Sequence, residues 1–354
     1  CEGCDDADGD GWLTMCDAYP PGKPGPDCDD TDPHTYPGAA PNDDEDACMK
    51  DADGDGWGDA TPGNPRVTPG SDCDDASDDT YPGAAEAEDP NACMKDEDGD
   101  GHGEAAPKPG VVPGSDCFDL NPDLNPASSV LITGQILDGE FAEVDLETGG
   151  LTTYATIDVS GIAPWLPVSL AVHPTDGSIY AALVFQPALA TLNYCGAGTP
   201  TLLPQAHNKS LCGIAFDRDG VLYGIDGVFD QLVVFNPDGS VAQTFPLTYE
   251  GQSLNVGECG MAYDCHQQRL ILSDSGTDAI YAVNPADGTT TRIADLAGQT
   301  NIGGGLAYDS TTKRAISCEM TSLVQVALDG SNSFTQLPDL VAPVDDLVFG
   351  PMCN

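Results

Sequence analysis

Basic residues are scarce in this sequence. Its 354 residues include 11 lysines and arginines against 59 aspartates and glutamates, which gives a formal net charge of −48. Nucleic acids and anionic membranes attract proteins through lysine and arginine, so neither is an expected partner. Because so much like charge opposes compaction, the most acidic part of the chain should fold only around something cationic.

Long apolar segments are missing as well. No run reaches the roughly 18 residues that a membrane-spanning helix needs, so no transmembrane segment is predicted. The opening residues, CEGCDDADGDGW, do not have the pattern of a secretory signal. We therefore expect a mature or trimmed chain, in which Cys1 is either a lipidated N-terminus or the result of a cut through an earlier repeat.

The common catalytic signatures are absent too. The sequence contains no GxSxG, no glycine-rich phosphate loop and no HExxH. His173, His207 and His266 have no acidic or cysteine neighbours at metal-binding spacing, so they are interpreted as ordinary surface or core residues. A non-enzymatic protein is therefore the favoured interpretation.

Fourteen cysteines are present, eight before residue 127 and six after it. Even counts in a chain so poor in histidine indicate disulfides formed in an oxidising compartment, so the protein is expected to be secreted or at the cell surface. Residues 1–127 carry 34 acidic and 5 basic residues, whereas alternating apolar residues are more frequent afterwards. We predict two domains, residues 1–127 and 128–354.

The acidic part contains three repeats of 45 residues. A first motif reads DADGDGW from Asp6, DADGDGW from Asp51 and DEDGDGH from Asp96, and a second motif, DCDD or DCFD, follows each at a fixed interval. An acidic linker is the alternative interpretation, but a solvated linker has no reason to keep such a period or fixed cysteines.

The first motif has the ligand order of an EF-hand calcium loop. Repeat two offers carboxylates at positions 1, 3 and 5 (Asp51, Asp53 and Asp55), glycine at position 6 and Asp59 at position 9. Glycine permits the positive φ of this turn. Pro62 replaces the bidentate glutamate at position 12 and no helical pattern flanks the loop, so this is not an EF-hand. We expect the second motif to supply the missing ligands.

Calcium is the predicted cofactor, because copper prefers histidine, methionine or thiolate and magnesium retains its water ligands. The supply of oxygens predicts several ions, about two per repeat. Trp12, Trp57 and His102 would contribute only a backbone carbonyl. The predicted ligands are Asp6, Asp8, Asp10, Trp12, Asp27, Asp29, Asp30, Asp32, Asp51, Asp53, Asp55, Trp57, Asp59, Asp72, Asp74, Asp75, Asp96, Asp98, Asp100, His102, Glu104, Asp116, Asp119, Asn121 and Asp123.

At these motifs the chain resembles thrombospondin type 3 repeats and, more closely, the DCDDxDPxxxPGA metal-binding repeats of secreted bacterial proteins, over about residues 4–125. The resemblance implies that calcium fills a core with almost no hydrophobic residues and that disulfides tie successive turns. The third repeat departs from the pattern at Phe118, which stands where the other repeats have aspartate.

The pairing of the cysteines in the repeats is left open by the sequence. One possibility is Cys28 with Cys48 and Cys73 with Cys93, and the other is Cys48 with Cys73 and Cys93 with Cys117. The first possibility leaves four cysteines for other pairings, including one between chains: Cys1, Cys4, Cys16 and Cys117.

From about Ser129 the pattern changes to short alternating strands separated by turn residues. Similar strand pairs begin at Ser169, Gly213, Gly260 and Gly304, 40 to 50 residues apart, which is the length of a four-stranded propeller blade. The opening strands lack a first strand and the closing DDLVFGP supplies one. The two ends are therefore predicted to share a sheet and close a ring of five blades.

The predicted fold is mostly β, an irregular calcium-stabilised and disulfide-linked repeat array followed by a five-bladed β-propeller. The second part resembles the broad group of six- and seven-bladed propellers, from which a count of five departs. An irregular blade within residues 155–169 or 187–204 would change the number.

Three acidic residues, Asp226, Asp274 and Glu319, follow the second strand of successive blades. Grouped carboxylates there could bind a cation or act as acid and base on a glycoside, although turn chemistry is the favoured interpretation. Asn208, in NKS, is a candidate glycosylation site.

The sequence thus favours a secreted, non-enzymatic calcium-binding structural or adhesive protein, as the subunit of an extracellular fibre or surface layer. Expected partners are further copies of the chain, another extracellular protein or a glycan. The alternative is a secreted propeller enzyme or carbohydrate-binding protein in which the repeats act as a spacer.

Overall fold

The computed structural model describes residues 4–14, 16, 18–19, 25–122, 124–125, 127, 129–134, 140–156, 162, 167–184, 186, 188–192, 199–298, 302–344 and 346–351. Two compact units divide the chain, Cys1–Gly114 and Ser115–Asn354. The boundary falls inside the third repeat, so the two motifs of that repeat belong to different units. Asp123, a predicted ligand, lies outside the described residues. Within the described part of the chain, no helix has the length and apolarity to cross a bilayer.

The first unit contains two short antiparallel hairpins, one in each of two successive repeats. Their registers match, since Tyr36 lies opposite Met49 and Tyr81 lies opposite Met94. The repeats therefore fold alike. The four strands are β1 (Thr35–Pro37), β2 (Cys48–Lys50), β3 (Thr80–Pro82) and β4 (Cys93–Lys95).

In repeats one and two, a disulfide attaches the second acidic motif to the following hairpin. Cys28 pairs with Cys48 and Cys73 pairs with Cys93, with Cα atoms 6.4 and 6.1 Å apart. This is the first of the two pairings that the sequence left open. A further disulfide joins Cys4 to Cys16 in the first loop. The predicted disulfide-linked array is confirmed, and the disulfides indicate an oxidising environment.

Successive repeats are also joined by backbone hydrogen bonds. The amide of Asn42 donates to the carbonyl of Gly56 (2.9 Å), and the amide of Ala87, 45 residues further along, donates to Gly101 (3.0 Å). The carboxylate of Asp43 accepts hydrogen bonds from the amide of Gly58 at 2.9 Å and from Ser71 Oγ at 2.6 Å. Repeats one and two are therefore each bonded to the first acidic loop of the repeat that follows.

The interior of the first unit contains little apolar material. All five clusters of buried apolar side chains found among the described residues lie in the second unit. In the first unit, isolated residues such as Ala40, Met49 and Ala85 are buried, and so is Asp72, at 1% exposure. Hydrophobic burial alone is therefore a weak source of stability for this unit.

The second unit is a β-propeller of five sheets arranged as blades. Its strands are β5 (Ser129–Gly134), β6 (Glu140–Val144), β7 (Leu151–Thr156), β8 (Pro167–Val172), β9 (Ile179–Leu183), β10 (Ala190–Leu192), β11 (Thr201–Leu202), β12 (Leu211–Phe216), β13 (Leu222–Asp226), β14 (Gln231–Phe235), β15 (Val241–Pro246), β16 (Thr248–Tyr249), β17 (Gln252–Ser253), β18 (Cys259–Asp264), β19 (Arg269–Asp274), β20 (Ala279–Val283), β21 (Thr289–Asp295), β22 (Leu306–Asp309), β23 (Arg314–Glu319), β24 (Ser322–Ala327), β25 (Phe334–Gln336) and β26 (Val348–Pro351).

Blades 1 to 4 begin with β8, β12, β18 and β22, and blade 3 carries the additional strands β16 and β17 at its outer edge. Blade 5 is built from both ends of the unit, in the order β26, β5, β6 and β7, with Val348 opposite Ile132. The sequence-based predictions of five blades and of closure by the last strand are confirmed. Parts of residues 155–169 and 187–204, where an irregular blade was considered, lie outside the described residues.

Glycines lie near the start of innermost strands such as β12 and β18, where neighbouring strands approach one another closely. A Cβ atom on Gly213 would lie 2.8 Å from the amide nitrogen of Met261, and one on Gly260 would lie 2.6 Å from that of Leu306. Any larger residue would force neighbouring blades apart.

The axis of the ring is almost filled. The innermost strands leave an apolar cavity of about 80 Å³, lined by residues such as Leu170, Met261 and Leu306. Phe118 also lines this cavity, and the disulfide between Cys117 and Cys265 fixes the preceding residue to blade 3. The departure of the third repeat from the aspartate pattern at Phe118 therefore has a structural reason, since this side chain packs against the propeller core.

A single buried carboxylate connects three blades near the start of β26. Asp346 is 3% exposed and accepts a hydrogen bond from the amide of Leu170 in blade 1. It is also contacted by the hydroxyl of Ser169 in blade 1 and by the amide of Leu306 in blade 4. Burial raises the pKa of Asp346 to about 7.

Candidate metal centre

The first acidic motif of each repeat forms a tight loop that depends on glycine. In repeat two, Gly54 and Gly56 have φ values of +87° and +91°. Gly11 and Gly101, which occupy the position of Gly56 in the other repeats, have φ values of +94° and +91°. The sequence-based expectation of a positive φ at loop position 6 is therefore met in all three loops.

Alternate aspartates of the loop in repeat two point to one side. Asp51 accepts hydrogen bonds from the amides of Gly54 (2.7 Å) and Gly56 (3.1 Å), and Asp55 Oδ1 accepts one from the amide of Trp57 (2.7 Å). One oxygen from each of Asp51, Asp53 and Asp55 lies within 4.8 Å of the other two. Three carboxylates therefore converge on a space the size of a cation.

Asp72, in the second motif, lies close enough to the loop for its pKa to be raised by burial and then by the negative charges of Asp53 and other neighbouring aspartates. Asp72 Oδ1 accepts the amide hydrogen bond of Asp74 at 2.8 Å, whereas the buried Oδ2 has no hydrogen-bond partner. Asp55 Oδ2 is buried and without a hydrogen-bond partner as well. Buried oxygens of this kind are costly unless a donor or a cation occupies the space between them.

The pKa values of the aspartates in repeat two also indicate that a cation is needed between them. Burial, and then the negative charges of neighbouring aspartates, raise the pKa of Asp55 and that of Asp72 to about 7. Burial also raises the pKa of Asp51. At neutral pH, the protein alone therefore does not stabilise full ionisation of this group, and a divalent cation would do so.

Asp75 connects the two motifs of repeat two. Its Oδ1 accepts the amide hydrogen bond of Ala52, inside the loop, at 2.7 Å, and its Oδ2 lies 2.5 Å from Lys50 Nζ. In repeat one, Asp30 makes equivalent contacts, accepting from the amide of Ala7 (2.8 Å) and from Thr14 Oγ1 (3.0 Å). These contacts hold the second motif against the loop.

Repeat one reproduces the arrangement. Oxygens of Asp6, Asp8 and Asp10 lie within 4.8 Å of one another, and Asp8 belongs to a second such group with Asp27 and Asp30. The Oδ2 atoms of Asp8, Asp10 and Asp27 are buried without a hydrogen-bond partner. Burial raises the pKa of Asp10 and that of Asp27. Because Asp8 is shared, this geometry has room for two adjacent ions.

The first-motif loop of repeat three lies in the first unit and has the same arrangement as the loops of repeats one and two. Oxygens of Asp96, Asp98 and Asp100 converge within 4.8 Å, and the amides of Gly99 and Gly101 donate to Asp96 at 2.8 Å. Its second motif belongs to the propeller unit, where Asp116 is 1% exposed and Asp119 is 8% exposed. Asn121, the other predicted residue of this motif that the structure describes, is also in that unit.

Other predicted ligands are engaged by protein groups. Asp29 accepts from Thr31 Oγ1 and Asn64 Nδ2, and Asp32 accepts from Thr35 Oγ1. The others in this set are Asp59, bonded to the amide of Thr61, Asp74, paired with Lys108, and Glu104, 3.7 Å from Lys95. The structure thus separates converging carboxylates from those that brace the fold.

The aromatic residues at loop position 7 pack against the next hairpin. Trp12 stacks on Tyr36 with ring centroids 6.0 Å apart, and Trp57 stacks on Tyr81 at 6.5 Å. In repeat three, the Nδ1 atom of His102 lies 3.4 Å from Glu88. The stacking was not foreseen, although the recurrence of Trp and of the TYPG segment in the same two repeats was a usable signal.

The three propeller carboxylates each end the second strand of a blade. Asp274 accepts hydrogen bonds from the amides of Gly257 (2.8 Å) and Gly276 (3.1 Å) and from Thr277 Oγ1 (2.7 Å). Asp226 accepts the amide hydrogen bond of Val228 at 3.2 Å, and Lys209 Nζ lies 3.3 Å from its Oδ2.

The contacts of Asp226 and Asp274 are those of buried turn residues. Glu319 is partly exposed at the end of β23. Asn208 is exposed in the loop before β12 and has a φ of +52°.

These features define a five-bladed β-propeller protein with disulfide-linked acidic repeats. No protein-family model matches the chain, and no curated protein matches it. A solved structure from the nidogen/laminin complex is 19% identical with a TM-score of 0.46, covering 62% of this chain and 81% of that chain.

Two bacterial enzyme structures are also similar to the chain. Virginiamycin B lyase from Staphylococcus aureus is 12% identical with a TM-score of 0.38, covering 60% of this chain and 71% of that chain. Myxococcus xanthus glutaminyl cyclase is 16% identical with a TM-score of 0.37, covering 58% of this chain and 83% of that chain.

Proposed function

We propose that this chain is a secreted, non-enzymatic calcium-binding protein with a structural or adhesive role, as the subunit of an extracellular fibre or surface layer. Its acidic repeats act in the manner of thrombospondin type 3 repeats, in which calcium takes the place of a hydrophobic core. The propeller then serves as a docking unit for further copies, for another extracellular protein or for a glycan.

The observation that carries this proposal is the set of buried carboxylate oxygens without hydrogen-bond partners. They recur at equivalent positions in two repeats, since Asp10 and Asp27 of repeat one correspond to Asp55 and Asp72 of repeat two. A chance accumulation of acidic residues would leave such oxygens in solvent. Their burial at matching positions is instead what a calcium site requires, because the cation replaces the lost hydration.

The donor set favours calcium over other metals. The converging atoms are carboxylate oxygens, which hard cations prefer, and the nearby cysteines are held in disulfides and cannot act as thiolates. Calcium accepts six to eight ligands in irregular geometry. In repeats one and two, carboxylates of both motifs, a backbone carbonyl and water would supply that number.

A structural role is supported by the way the repeats are joined. Asn42 and Ala87 make the same hydrogen bond to the next loop, so order in one repeat favours order in its neighbour. Calcium binding at one loop would therefore stiffen the array as a whole. The engagement of Asp226 and Asp274 by turn amides supports a structural reading of these two carboxylates rather than an acid and base pair.

Metal analysis of the desalted protein tests the proposal. We expect several calcium ions per chain and, on addition of excess chelator with disulfides intact, rapid protease cleavage within residues 1–114 while the propeller stays resistant. A metal-free chain with an equally resistant first unit would refute calcium binding. Negative-stain microscopy with and without calcium tests whether the chain forms fibres. A monodisperse monomer at high calcium would refute assembly into fibres but not calcium binding.

A further inference from the structure

A polar cleft lies between the turns of blades 3 and 4. It has a volume of about 570 Å³ and is formed by the β18–β19 turn with His266 and Arg269, the β22–β23 turn with Lys313 and Arg314, and the residues after β24, including Asp329. Small-molecule sites in proteins typically occupy about 300–1,000 Å³. The cleft is therefore large enough for a ligand the size of one sugar ring.

Positive charge is concentrated there. Residues 115–354 contain 28 acidic and only 6 basic residues, and three of those six, Arg269, Lys313 and Arg314, line this one cleft. The acidic residues in the lining are Asp264 and Asp329, so the cleft has one more basic than acidic group. A surface that is strongly acidic elsewhere thus offers a local site for one negative charge.

Part of the cleft is held rigid by its own contacts. Arg269 donates from Nε to Asp264 Oδ2 at 2.8 Å and from Nη2 to the carbonyl of Leu328 at 3.2 Å. Tyr308 OH and His266 Nδ1 are 2.9 Å apart. Because Asp264 is only 1% exposed, its charge is used in orienting the guanidinium and does not block the cleft.

The other two basic groups have donors to spare. Lys313 sits on the turn with a φ of +56° and makes no ion pair among the described residues of this acidic chain. Arg314 has a single long hydrogen bond, from Nη1 to Thr335 Oγ1 at 3.5 Å. Both side chains are thus available to a ligand oxygen.

We propose that this cleft binds a monosaccharide-sized ligand that carries one carboxylate, such as a uronic acid residue of an extracellular glycan. Lys313 and Arg314 pair with the carboxylate, while Gln267 and Asp329 offer donors and acceptors for ring hydroxyls. The Thr312 hydroxyl in the lining is hydrogen-bonded to Asp309 Oδ2 at 2.6 Å. A polyanion such as an acidic peptide fits less well, because the lining balances one charge and the surrounding unit repels the rest. This binding site is independent of the calcium sites in the first unit.

Calorimetric titration of the whole, calcium-loaded chain with glucuronate and with glucose tests the proposal. We expect glucuronate to bind and glucose to bind at least about tenfold more weakly, since glucose lacks the charge-assisted hydrogen bonds. Lys313→Gln and Arg314→Gln should each weaken glucuronate binding about tenfold. The control is Arg292→Gln, because Arg292 pairs with Asp295 within β21 of blade 3 and lies outside the cleft.

Several results would overturn the assignment. These are equal binding of glucose and glucuronate, no binding of glucuronate, or an equal loss in the Arg292→Gln control. Tighter binding of tetra-aspartate than of glucuronate, with the same dependence on Lys313, would assign the cleft to acidic peptides instead. Unchanged unfolding temperatures of the variants establish that the losses come from the cleft.

Discussion

The replacement of Asp72 by asparagine should stabilise the calcium-free protein and weaken its response to calcium. Asparagine keeps Oδ1, which accepts the amide hydrogen bond of Asp74, and changes only the buried Oδ2 that has no hydrogen-bond partner. The variant therefore removes a charge near the converging group without removing a contact that holds the fold.

The magnitude in chelator follows from the pKa. An acid whose pKa is raised in the folded state opposes folding once the pH exceeds its unfolded value, here from 3.8 up to about 7, and the full penalty is present above that range. The difference corresponds to on the order of 4 kcal/mol at pH 8. The buried amide would itself lack a partner, at a cost of about 1–3 kcal/mol. A net gain of roughly 1–3 kcal/mol is expected.

The opposite effect is expected in calcium. Loss of one carboxylate ligand should weaken the site at least about tenfold. For calcium at about 100 times the dissociation constant, the stabilisation by the ion would then fall from ~2.7 to ~1.4 kcal/mol. The difference in the free energy of unfolding between calcium and chelator should therefore be smaller for the Asp72→Asn variant than for the unchanged protein.

Urea unfolding measures the stability of repeat two in chelator and in calcium. The signal is the fluorescence of Trp57, in a protein in which Trp12 and Trp165 are replaced by phenylalanine. The matched control is Asp78→Asn. Asp78 is exposed in the same motif, so this substitution removes the same charge without changing a buried oxygen. If Asp72→Asn lowers stability in chelator and leaves the calcium response unchanged, or if Asp78→Asn behaves identically, the reasoning is refuted.

Three further predictions concern other parts of the chain. Because burial raises the pKa of Asp346 to about 7, propeller stability at saturating calcium should fall by on the order of 4 kcal/mol between pH 4 and pH 8, and calorimetry should show that Asp346→Asn abolishes this slope. Serine at both Cys117 and Cys265 opens a link across 148 residues and should lower the stability of the propeller by roughly 4–5 kcal/mol, which a lower unfolding temperature would reveal. Trp57→Leu removes the stacking on Tyr81 and should reduce the urea stability of the repeats by about 1 kcal/mol, as followed by far-ultraviolet circular dichroism.

Periodic features of the backbone could be predicted from the sequence. Gly56 recurs every 45 residues because the loop requires a positive φ, and Gly213 and Gly260 recur because inner strands approach too closely for a Cβ atom. The closing strand was predictable because DDLVFGP repeats the pattern of a first strand where no blade follows. Such requirements are local and recur in every copy, so that one sequence contains several examples of each.

Contacts between distant residues could not be predicted in the same way. The choice of Cys48 as the partner of Cys28 depends on the hairpin register, and the packing of Phe118 on the propeller depends on a fold that forms later in the chain. Lys50 could not be assigned to Asp75 from spacing alone. Which aspartates converge and which brace the loop was likewise undetermined, because all have the same chemistry and differ only in orientation.

The hydrogen bond that joins each repeat to the next uses main-chain atoms, and its donor is Asn42 in one case and Ala87 in the other. The junction therefore tolerates sequence drift at the donor position. A duplicated 45-residue unit would arrive with its connection to both neighbours already specified, so unequal recombination could lengthen or shorten such a protein in whole steps. The number of repeats would then be inherited as a copy number.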